Sequence, residues 1–296
     1  TSVYLSDLEK GTAVGATATW DWFNELKEAA KTRKPKVIYT QPNTPIKCGG
    51  APQKMLYLSA DYLKRDGLSA EYSFVSSQAK LFSLPQVDKA LHEVQERYDS
   101  IANKFQHHLQ SIDVKAKKAT FAHAYEVKEY DEDLEEDEIV SKVEQVVMDY
   151  DFIHVVPPMA PVDAVLASKL VNGAGWLDVD KKTLQHNRYK NVFGIGDVCG
   201  VPMGKTGGSA RHQGPIVTKN LISQMKGEKL TATFDGYTVC PIKTQYGKIM
   251  MAEFNYEGPA PTMPFLAIEE PRYMWWAFDL YMLKPMYQYL MLTGRF

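Results

Sequence analysis

Hydrophobic and polar positions along the chain predict short strands that alternate with amphipathic helices. The strand candidates are β-branched and aromatic runs bounded by turn residues, and they comprise residues 37–40, 72–74 and 152–154. The helix candidates are amphipathic segments, and they comprise residues 19–31 (with Thr19 as N-cap), 52–64 and 86–108. Strands that alternate with helices indicate a Rossmann-like α/β unit.

The later part of the chain adds a strand–turn–helix pattern after a strongly acidic segment. Eight of the ten residues 129–138 are acidic, and such a run is expected to form a solvated loop between two strands rather than a metal site. Residues 191–197 are predicted to form a strand that runs into a glycine-rich turn, and residues 207–225 a helix.

Composition excludes several classes of protein. The formal net charge of the 296 residues is −2, which gives no reason to expect a nucleic-acid partner. The three cysteines, Cys48, Cys199 and Cys240, are too few for a disulfide scaffold and lack the spacing of a zinc site. No secretory signal or transit peptide is visible and the chain starts without Met, so the sequence is expected to be a piece of a longer protein.

Cys48 lies in a polar, glycine-rich loop just before a predicted helix. Helix N-termini lower the pKa of a thiol, and Lys47 and Lys54 add positive charge, so a thiolate is expected. The alternative is a buried cysteine acting as a small hydrophobic side chain, which the polar loop disfavours. Because this loop carries no Gly-x-Gly-x-x-Gly, a nicotinamide donor is not expected.

A second candidate site is the turn Gly-Ile-Gly-Asp at residues 194–197. Such a turn lets the backbone approach a ligand while the carboxylate accepts hydrogen bonds from hydroxyl groups. Alone, it would indicate only a tight turn. The sequence Lys-Thr-Gly-Gly at residues 205–208 then opens a predicted helix, whose N-terminal amides favour an anionic group. The two segments together favour a bound ligand.

Residues 44–54, 193–197 and 235–241 together resemble the sulfide:quinone oxidoreductases, in particular the branch that includes the mitochondrial enzyme. The likeness runs from about Thr19 to the C-terminus. It implies FAD as cofactor and a redox pair formed by Cys48 and Cys240, while no role carries over to Cys199. Lys205 is the candidate to reach the flavin or quinone edge. The positions that the resemblance assigns to FAD are Gly194, Gly196, Asp197, Lys205, Thr206 and Pro158.

The resemblance also implies the chemistry. Hydrogen sulfide attacks a disulfide (or a bridged trisulfide) between Cys48 and Cys240, and Cys240 carries the persulfide. The Cys48 thiolate faces the flavin C4a and delivers the electrons. The sulfane sulfur leaves to a small acceptor, a thiol or sulfite, and membrane quinone takes the electrons. A homo-oligomer is a further possibility, and no metal is expected.

The C-terminal residues 272–296 are rich in aromatic side chains, which occupy eight of 25 positions. Charged residues and Pro285 interrupt the segment, so it is not expected to span a bilayer. Its composition suits helices lying in a membrane interface, and the alternative is an element packed on the core or on a dimer partner. The resemblance favours the membrane and the quinone. The residues expected to contact the quinone or the membrane are Trp275, Trp276, Phe278 and Tyr281.

The expected fold is an α/β, Rossmann-like two-domain flavoprotein fold of the FAD/NAD(P)-binding type, truncated at the N-terminus and ending in amphipathic helices. The expected divisions are a remnant of the FAD domain with a linker helix (1–35), a second Rossmann-like domain with Cys48 (36–155), a returning FAD-domain portion with Cys240 (156–258) and membrane- or quinone-associated helices (259–296). The protein would be monotopic on the mitochondrial inner membrane in a eukaryote, or on the cytoplasmic membrane in a bacterium.

Two alternatives remain open. One is another enzyme of the same fold, such as a type II NADH:quinone oxidoreductase or a flavocytochrome sulfide dehydrogenase. The other is a non-catalytic scaffold domain or an inactive fragment, because the strand–Gly-x-Gly-x-x-Gly–helix unit that binds the adenosine end of FAD is not found between Thr1 and Phe296.

Overall fold

The computed structural model describes residues 14–98, 101–131 and 136–294. The chain divides into two compact units. Unit 1 comprises Thr1–Pro45, Pro52–Ser83 and Leu91–Pro158, and unit 2 comprises Ile46–Ala51, Leu84–Ala90 and Met159–Phe296. The first 13 residues of the predicted segment 1–35 lie outside the described part of the chain.

Unit 1 is built on a four-stranded parallel sheet. Its strands are β1 (Lys36–Gln41), β2 (Glu71–Ser76), β3 (Ile101–Lys104) and β7 (Phe152–His154), in the order β3-β2-β1-β7. The neighbouring helices in the chain are α1 (Val14–Ala30), α2 (Ala51–Arg65) and α3 (Pro85–Gln95). In β1 every residue after Lys36 is buried, which is the pattern of a strand covered on both faces. The predicted α/β class with a parallel, Rossmann-like sheet is confirmed.

A second sheet of unit 1 is an antiparallel meander. It contains β4 (His107–Asp113), β5 (Lys118–Asp131) and β6 (Glu136–Asp149), in the order β4-β5-β6. The acidic run falls at the end of this hairpin, where Glu129 lies opposite Glu138 in the β5–β6 register. The strands therefore extend into the segment predicted as a loop, and residues 132–135 lie outside the described residues.

Three local predictions were wrong. Thr19 is not an N-cap, because the chain is already helical at Val14 and Thr19 Oγ1 donates to the carbonyl of Gly15 inside α1. The helix predicted over 86–108 ends at Gln95, since residues 101–104 pair with β2 and this tertiary pairing overrides the local pattern. Residues 191–197 form only one bridge, Gln185 to Phe193, before a 3-10 turn over Gly196–Val198.

Unit 2 combines a small antiparallel sheet with one long helix. Its strands are β8 (Thr238–Gln245), β9 (Lys248–Asn255) and β10 (Gly258–Pro259), in the order β10-β9-β8. Pro241 is tolerated because β8 is an edge strand of this sheet. A short helix α4 (Asp163–Leu166) precedes the long helix α5 (Gly207–Met225), which matches the predicted bounds. The core of the unit contains Leu177, Val179, Leu184, Cys199, Val201, Val217, Phe234 and Tyr237.

The C-terminal segment is helical over Tyr273–Met291. It consists of α6 (Tyr273–Ala277), a π-helical stretch (Phe278–Met282), α7 (Leu283–Met286) and a second π-helical stretch (Tyr287–Met291). Within the described ranges, no helix is both long enough and apolar enough to cross a membrane.

Candidate functional site

Two thiols meet in unit 2 although 192 positions separate them in the sequence. The Sγ atoms of Cys48 and Cys240 lie 3.1 Å apart, and both residues are reduced. A disulfide bond requires a separation of about 2.05 Å, so a small rotation of either side chain is enough to close it. The structure therefore brings together the two cysteines that the resemblance paired.

The loop that carries Cys48 is held by its own backbone. Cys48 has a φ of 59°, in the left-handed region that non-glycine residues rarely occupy. Its N–H donates to the carbonyl of Lys205 at 3.2 Å, and its carbonyl accepts from the N–H of Ala51 at 2.8 Å. These two bonds fix a turn that directs the Cys48 side chain towards β8.

Gly50 allows this loop to approach β8 closely. Its N–H donates to Cys240 Sγ at 3.2 Å. A Cβ atom at position 50 would lie 2.6 Å from Ile242 Cγ1 and 3.1 Å from Cys240 Sγ, so only glycine fits without displacing β8. An amide donor at this distance stabilises negative charge on the Cys240 sulfur.

The two sulfurs differ in their access to solvent. Cys240 lies within β8 opposite Ala252 of β9, and only 1% of its surface is exposed. Cys48 lies in the loop and is partly exposed. The pair thus combines one buried residue, Cys240, with one that is partly exposed, Cys48.

Lys205 is buried, and its ammonium is hydrogen-bonded within the protein. Its Nζ donates to the carbonyls of Asp197 at 2.7 Å and Cys199 at 2.8 Å, and it lies 3.4 Å from the ring centroid of Trp176. Burial lowers the pKa of Lys205 to about 8. Because its own carbonyl accepts the Cys48 N–H, Lys205 connects the Cys48 loop with the turn at Asp197.

Asp197 and Thr206 flank this lysine. The Asp197 carboxylate lies 3.3 Å from Lys47 Nζ, and 39% of its side chain remains exposed. Thr206 is the N-cap of α5, where its Oγ1 accepts from the N–H of Ser209 at 3.2 Å. The amides of the first turn of α5 have no partners within the helix, as at any helix N-terminus.

The structure explains why glycine occupies both positions of the Gly-Ile-Gly-Asp turn. A Cβ at Gly194 would lie 2.7 Å from both Cys199 Sγ and Leu177 Cδ2. Gly196 has a φ of 74°, and its N–H donates to Gln213 Oε1 at 2.6 Å. The turn is therefore shaped by packing, and the group it leaves available to a ligand is the Asp197 carboxylate.

Cys199 is part of the core of unit 2. It is fully buried, and burial raises its pKa to about 11, so it is a neutral thiol at physiological pH. Its neighbours include Gly194 and the other core residues, which explains its presence by packing.

The remaining assigned residues lie in different environments. Pro158 belongs to unit 1, where it lines a small cavity with Thr40 and Gln41 at the carboxyl end of β1. Trp276 is 9% exposed, and its ring centroid lies 5.0 Å from that of Tyr246 on the β8–β9 turn. Tyr281, by contrast, is 68% exposed. The other two tail residues, Trp275 and Phe278, are partly buried.

Sequence reasoning missed three residues of this site. Gly50 supplies the amide to Cys240, Trp176 covers the Lys205 ammonium and Gln213 holds the Gly196 amide. Only Gly50 has a visible signal, the paired glycines after Cys48. Among the residues that the structure describes, no group of three or more His, Cys, Asp or Glu side chains could hold a metal ion.

No family model matches the chain. Curated proteins do match it, and three of them are each named "Sulfide:quinone oxidoreductase, mitochondrial". The Mus musculus protein is 35% identical over 251 residues, which cover 83% of this chain and 51% of the relative. The Dictyostelium discoideum protein is 36% identical over 248 residues, covering 82% and 51%. The Schizosaccharomyces pombe protein is 31% identical over 245 residues, covering 82% and 49%. The chain spans about half the length of these relatives, and the resemblance is confirmed over that span.

Solved structures also match the backbone of this chain. A chain in the cryo-EM structure of the Tetrahymena thermophila mitochondrial ATP synthase matches with a TM-score of 0.68 and 21% sequence identity. The match covers 90% of this chain and 62% of that chain. This likeness concerns the fold alone.

Proposed function

From its relationship to the sulfide:quinone oxidoreductases, we propose that this chain carries the redox centre of a flavoenzyme that oxidises hydrogen sulfide and reduces a membrane quinone. The observation that carries the proposal is the 3.1 Å contact between Cys48 Sγ and Cys240 Sγ, with the Gly50 amide directed at Cys240. A contact at this distance is consistent with a pair that alternates between a dithiol and a disulfide.

The proposed cycle starts from the Cys48–Cys240 disulfide. Hydrosulfide attacks Cys240 Sγ, the S–S bond breaks, and Cys48 leaves as a thiolate while Cys240 becomes a persulfide. Hydrosulfide has a single heavy atom, which suits it to a sulfur as sheltered as that of Cys240. A small acceptor, a thiol or sulfite, then takes the outer sulfur and leaves Cys240 as a thiolate. When the Cys48–Cys240 bond forms again, two electrons are released.

Neighbouring groups assist these steps by charge and position. The Gly50 amide stabilises negative charge on Cys240 Sγ, both as a persulfide and as a thiolate. The backbone carbonyl of Lys205 accepts a hydrogen bond from the Cys48 N–H, and the Lys205 ammonium is bound to the carbonyl of Asp197. These bonds hold the loop, so the Cys48 sulfur keeps its orientation as the disulfide opens and closes. These residues position the pair without touching the substrate.

The residues around Asp197 fit the ring and ribityl end of a flavin. The exposed part of the Asp197 carboxylate can accept hydrogen bonds from hydroxyl groups. The first-turn amides of α5 can donate to a negatively charged ring, and the space beside the Gly207 Cα is open. A flavin bound there would take the two electrons and pass them to quinone. Gly194, Gly196, Lys205 and Thr206 would shape this part of the flavin site.

The C-terminal helices are proposed to hold the protein on a membrane surface, in the mitochondrion if this chain works where its relatives' names place them. Tyr281 and its apolar neighbours are strongly exposed, as an interfacial helix requires. The exposed apolar side chains of the segment are Tyr273, Met274, Leu280, Tyr281, Met282, Leu283, Tyr287, Tyr289, Leu290 and Leu292. The quinone would be contacted by Trp275, Trp276 and Phe278.

The sulfur chemistry can be tested by locating the persulfide. The protein from the complete reading frame is oxidised, treated anaerobically with sulfide, alkylated and analysed by peptide mass spectrometry. The expected result is one extra sulfur on the Cys240 peptide, absent in Cys48→Ser, which cannot form the disulfide. Persulfide on Cys199, or no persulfide on any cysteine, would favour the alternative of a non-catalytic domain.

A further inference from the structure

The pair formed by Cys48 and Cys240 is asymmetric in a way that the proposed cycle does not use. Cys48 is partly exposed in its loop, whereas 1% of Cys240 is exposed. Cys48 is therefore the more accessible of the two residues to a molecule in solution. This arrangement, an accessible thiol with a sheltered thiol behind it, is that of an attacking and a resolving cysteine in thiol–disulfide exchange.

We propose that the reduced pair also reduces small anionic disulfides, with Cys48 as the attacking thiol and Cys240 as the resolving thiol. The proposal rests on the same two cysteines as the proposed function. It needs no sulfide, quinone or bound cofactor, because the two thiols themselves supply the electrons.

The exchange proceeds in two balanced steps. The Cys48 thiolate attacks one sulfur of the disulfide RS–SR, a Cys48–SR bond forms, and the first RS⁻ leaves. The Cys240 thiolate then attacks Cys48 Sγ, the Cys48–Cys240 bond forms, and the second RS⁻ leaves. Overall, two protein thiols are oxidised to one disulfide and one small disulfide is reduced to two thiols.

The geometry favours fast resolution after the first step. The two Sγ atoms are 3.1 Å apart before any rearrangement, close to the bonded distance of about 2.05 Å. The Gly50 amide stabilises the Cys240 thiolate that makes the second attack. A mixed disulfide at Cys48 should therefore be short-lived in the native pair.

The charges beside Cys48 select for an anionic substrate. Lys47 precedes Cys48 in the chain and pairs with Asp197 at 3.3 Å, so these two charges offset one another. The Lys205 ammonium then leaves one positive charge near the loop. If Lys47 is replaced by glutamine, the Asp197 carboxylate offsets the Lys205 ammonium and the net positive charge near the loop is lost. The preference for anionic disulfides should then decrease.

The test uses the protein from the complete reading frame in its flavin-free form, reduced, freed of reductant and mixed anaerobically with oxidised glutathione. Intact-mass analysis should show loss of two hydrogens and release of two equivalents of glutathione. Cys240→Ser should stop at one glutathione adduct on Cys48, and Cys48→Ser should react at least about tenfold more slowly, because Cys240 is buried. Cys199→Ala is the matched control and should behave as the native chain does.

A second arm compares oxidised glutathione with cystamine, which is cationic. The native chain should prefer glutathione, and Lys47→Gln should lower the ratio of the two rates several-fold. The proposal is overturned if Cys48→Ser reacts as fast as Cys240→Ser, or if the native chain accumulates the mixed disulfide. Equal rates for the two disulfides in both proteins would overturn the anionic preference. None of these outcomes depends on sulfide oxidation, so failure here is distinct from failure of the proposed function.

Discussion

Gly50 brings Cys48 and Cys240 together because no larger residue fits between the loop and β8. The resemblance identified the two cysteines, but no local pattern predicts that Gly50 lies against Ile242, because the two residues are distant in the chain. The same holds for Lys205. The resemblance made Lys205 the candidate to reach the flavin or quinone edge. Its ammonium also binds two backbone carbonyls, and these contacts could not be predicted from the pattern of side chains.

Gly50→Ala should separate the two sulfurs. The added Cβ must displace Ile242 or Cys240, which should lower the free energy of unfolding by about 1–3 kcal/mol. Formation of the Cys48–Cys240 disulfide by a mild oxidant should slow in parallel, as followed by thiol titration. Gly173→Ala is the control, since its Cβ would meet nothing within 4 Å. Unchanged disulfide formation in Gly50→Ala would show that the close approach is not needed.

Lys205 should make stability depend on pH in a defined direction. Burial lowers its pKa to about 8 in the folded protein, below the roughly 10.4 of an unfolded chain. Between these values the unfolded chain binds more protons, so stability rises with pH. Relative to Lys205→Met, the native protein should gain about 2 kcal/mol between pH 7.5 and pH 10. Urea unfolding at the two pH values measures this difference.

Lys248→Met serves as the control for that comparison, because Lys248 is exposed at the start of β9. Its free energy of unfolding relative to the native protein should not change between the two pH values. A constant difference between the native protein and Lys205→Met would contradict the burial of a titrating ammonium at this position.

At the scale of elements, the sequence predicts the helices and strands that depend on local residue pattern. It does not predict those that depend on pairing with a distant strand. Helix α5 matches its predicted range, and the Thr206 side chain caps its start. Strand β3 was predicted as helix, since residues 101–104 become a strand only beside β2. The fold class was predicted from the alternation of strands and helices, and this alternation is recognisable even where the predicted bounds of an element are wrong.

The C-terminal helices divide into an anchor and an exposed surface. Trp276 packs on Tyr246, and Lys243 pairs with Asp279 at 2.8 Å, so this end is fixed to the β8–β9 hairpin. Trp276→Ala should lower the free energy of unfolding by about 3 kcal/mol. Tyr281→Ser should leave it within about 0.5 kcal/mol.

The same two variants separate stability from membrane binding. Tyr281→Ser should weaken co-sedimentation with lipid vesicles, because an exposed aromatic side chain contributes directly to interfacial binding. The native chain should bind vesicles and Tyr281→Ser should bind less at equal stability. If neither protein binds vesicles, the exposed surface faces another partner, such as a second copy of the chain.

At the scale of the whole molecule, the chain carries one end of the proposed flavin site. The adenosine and pyrophosphate of FAD require a strand–Gly-x-Gly-x-x-Gly–helix unit, whose amides neutralise phosphate charge. The sequence contains no such motif between Thr1 and Phe296. The purified 296-residue chain should therefore be colourless, and added FAD should not produce a bound flavin spectrum. A yellow, stoichiometrically loaded protein would contradict this expectation.

The most direct test of the central claim is anaerobic stopped-flow reduction by sulfide of the flavin-loaded protein from the complete reading frame. The flavin absorbance of the native protein should fall after it is mixed with sulfide. Cys48→Ser and Cys240→Ser should each slow this reduction by about 10³-fold or more, as expected for residues that act as one unit. Cys199→Ala should stay within about twofold of the native rate, because Cys199 only fills the core. Equal loss in all three variants, or full reduction without Cys48, would contradict the assignment of the redox pair.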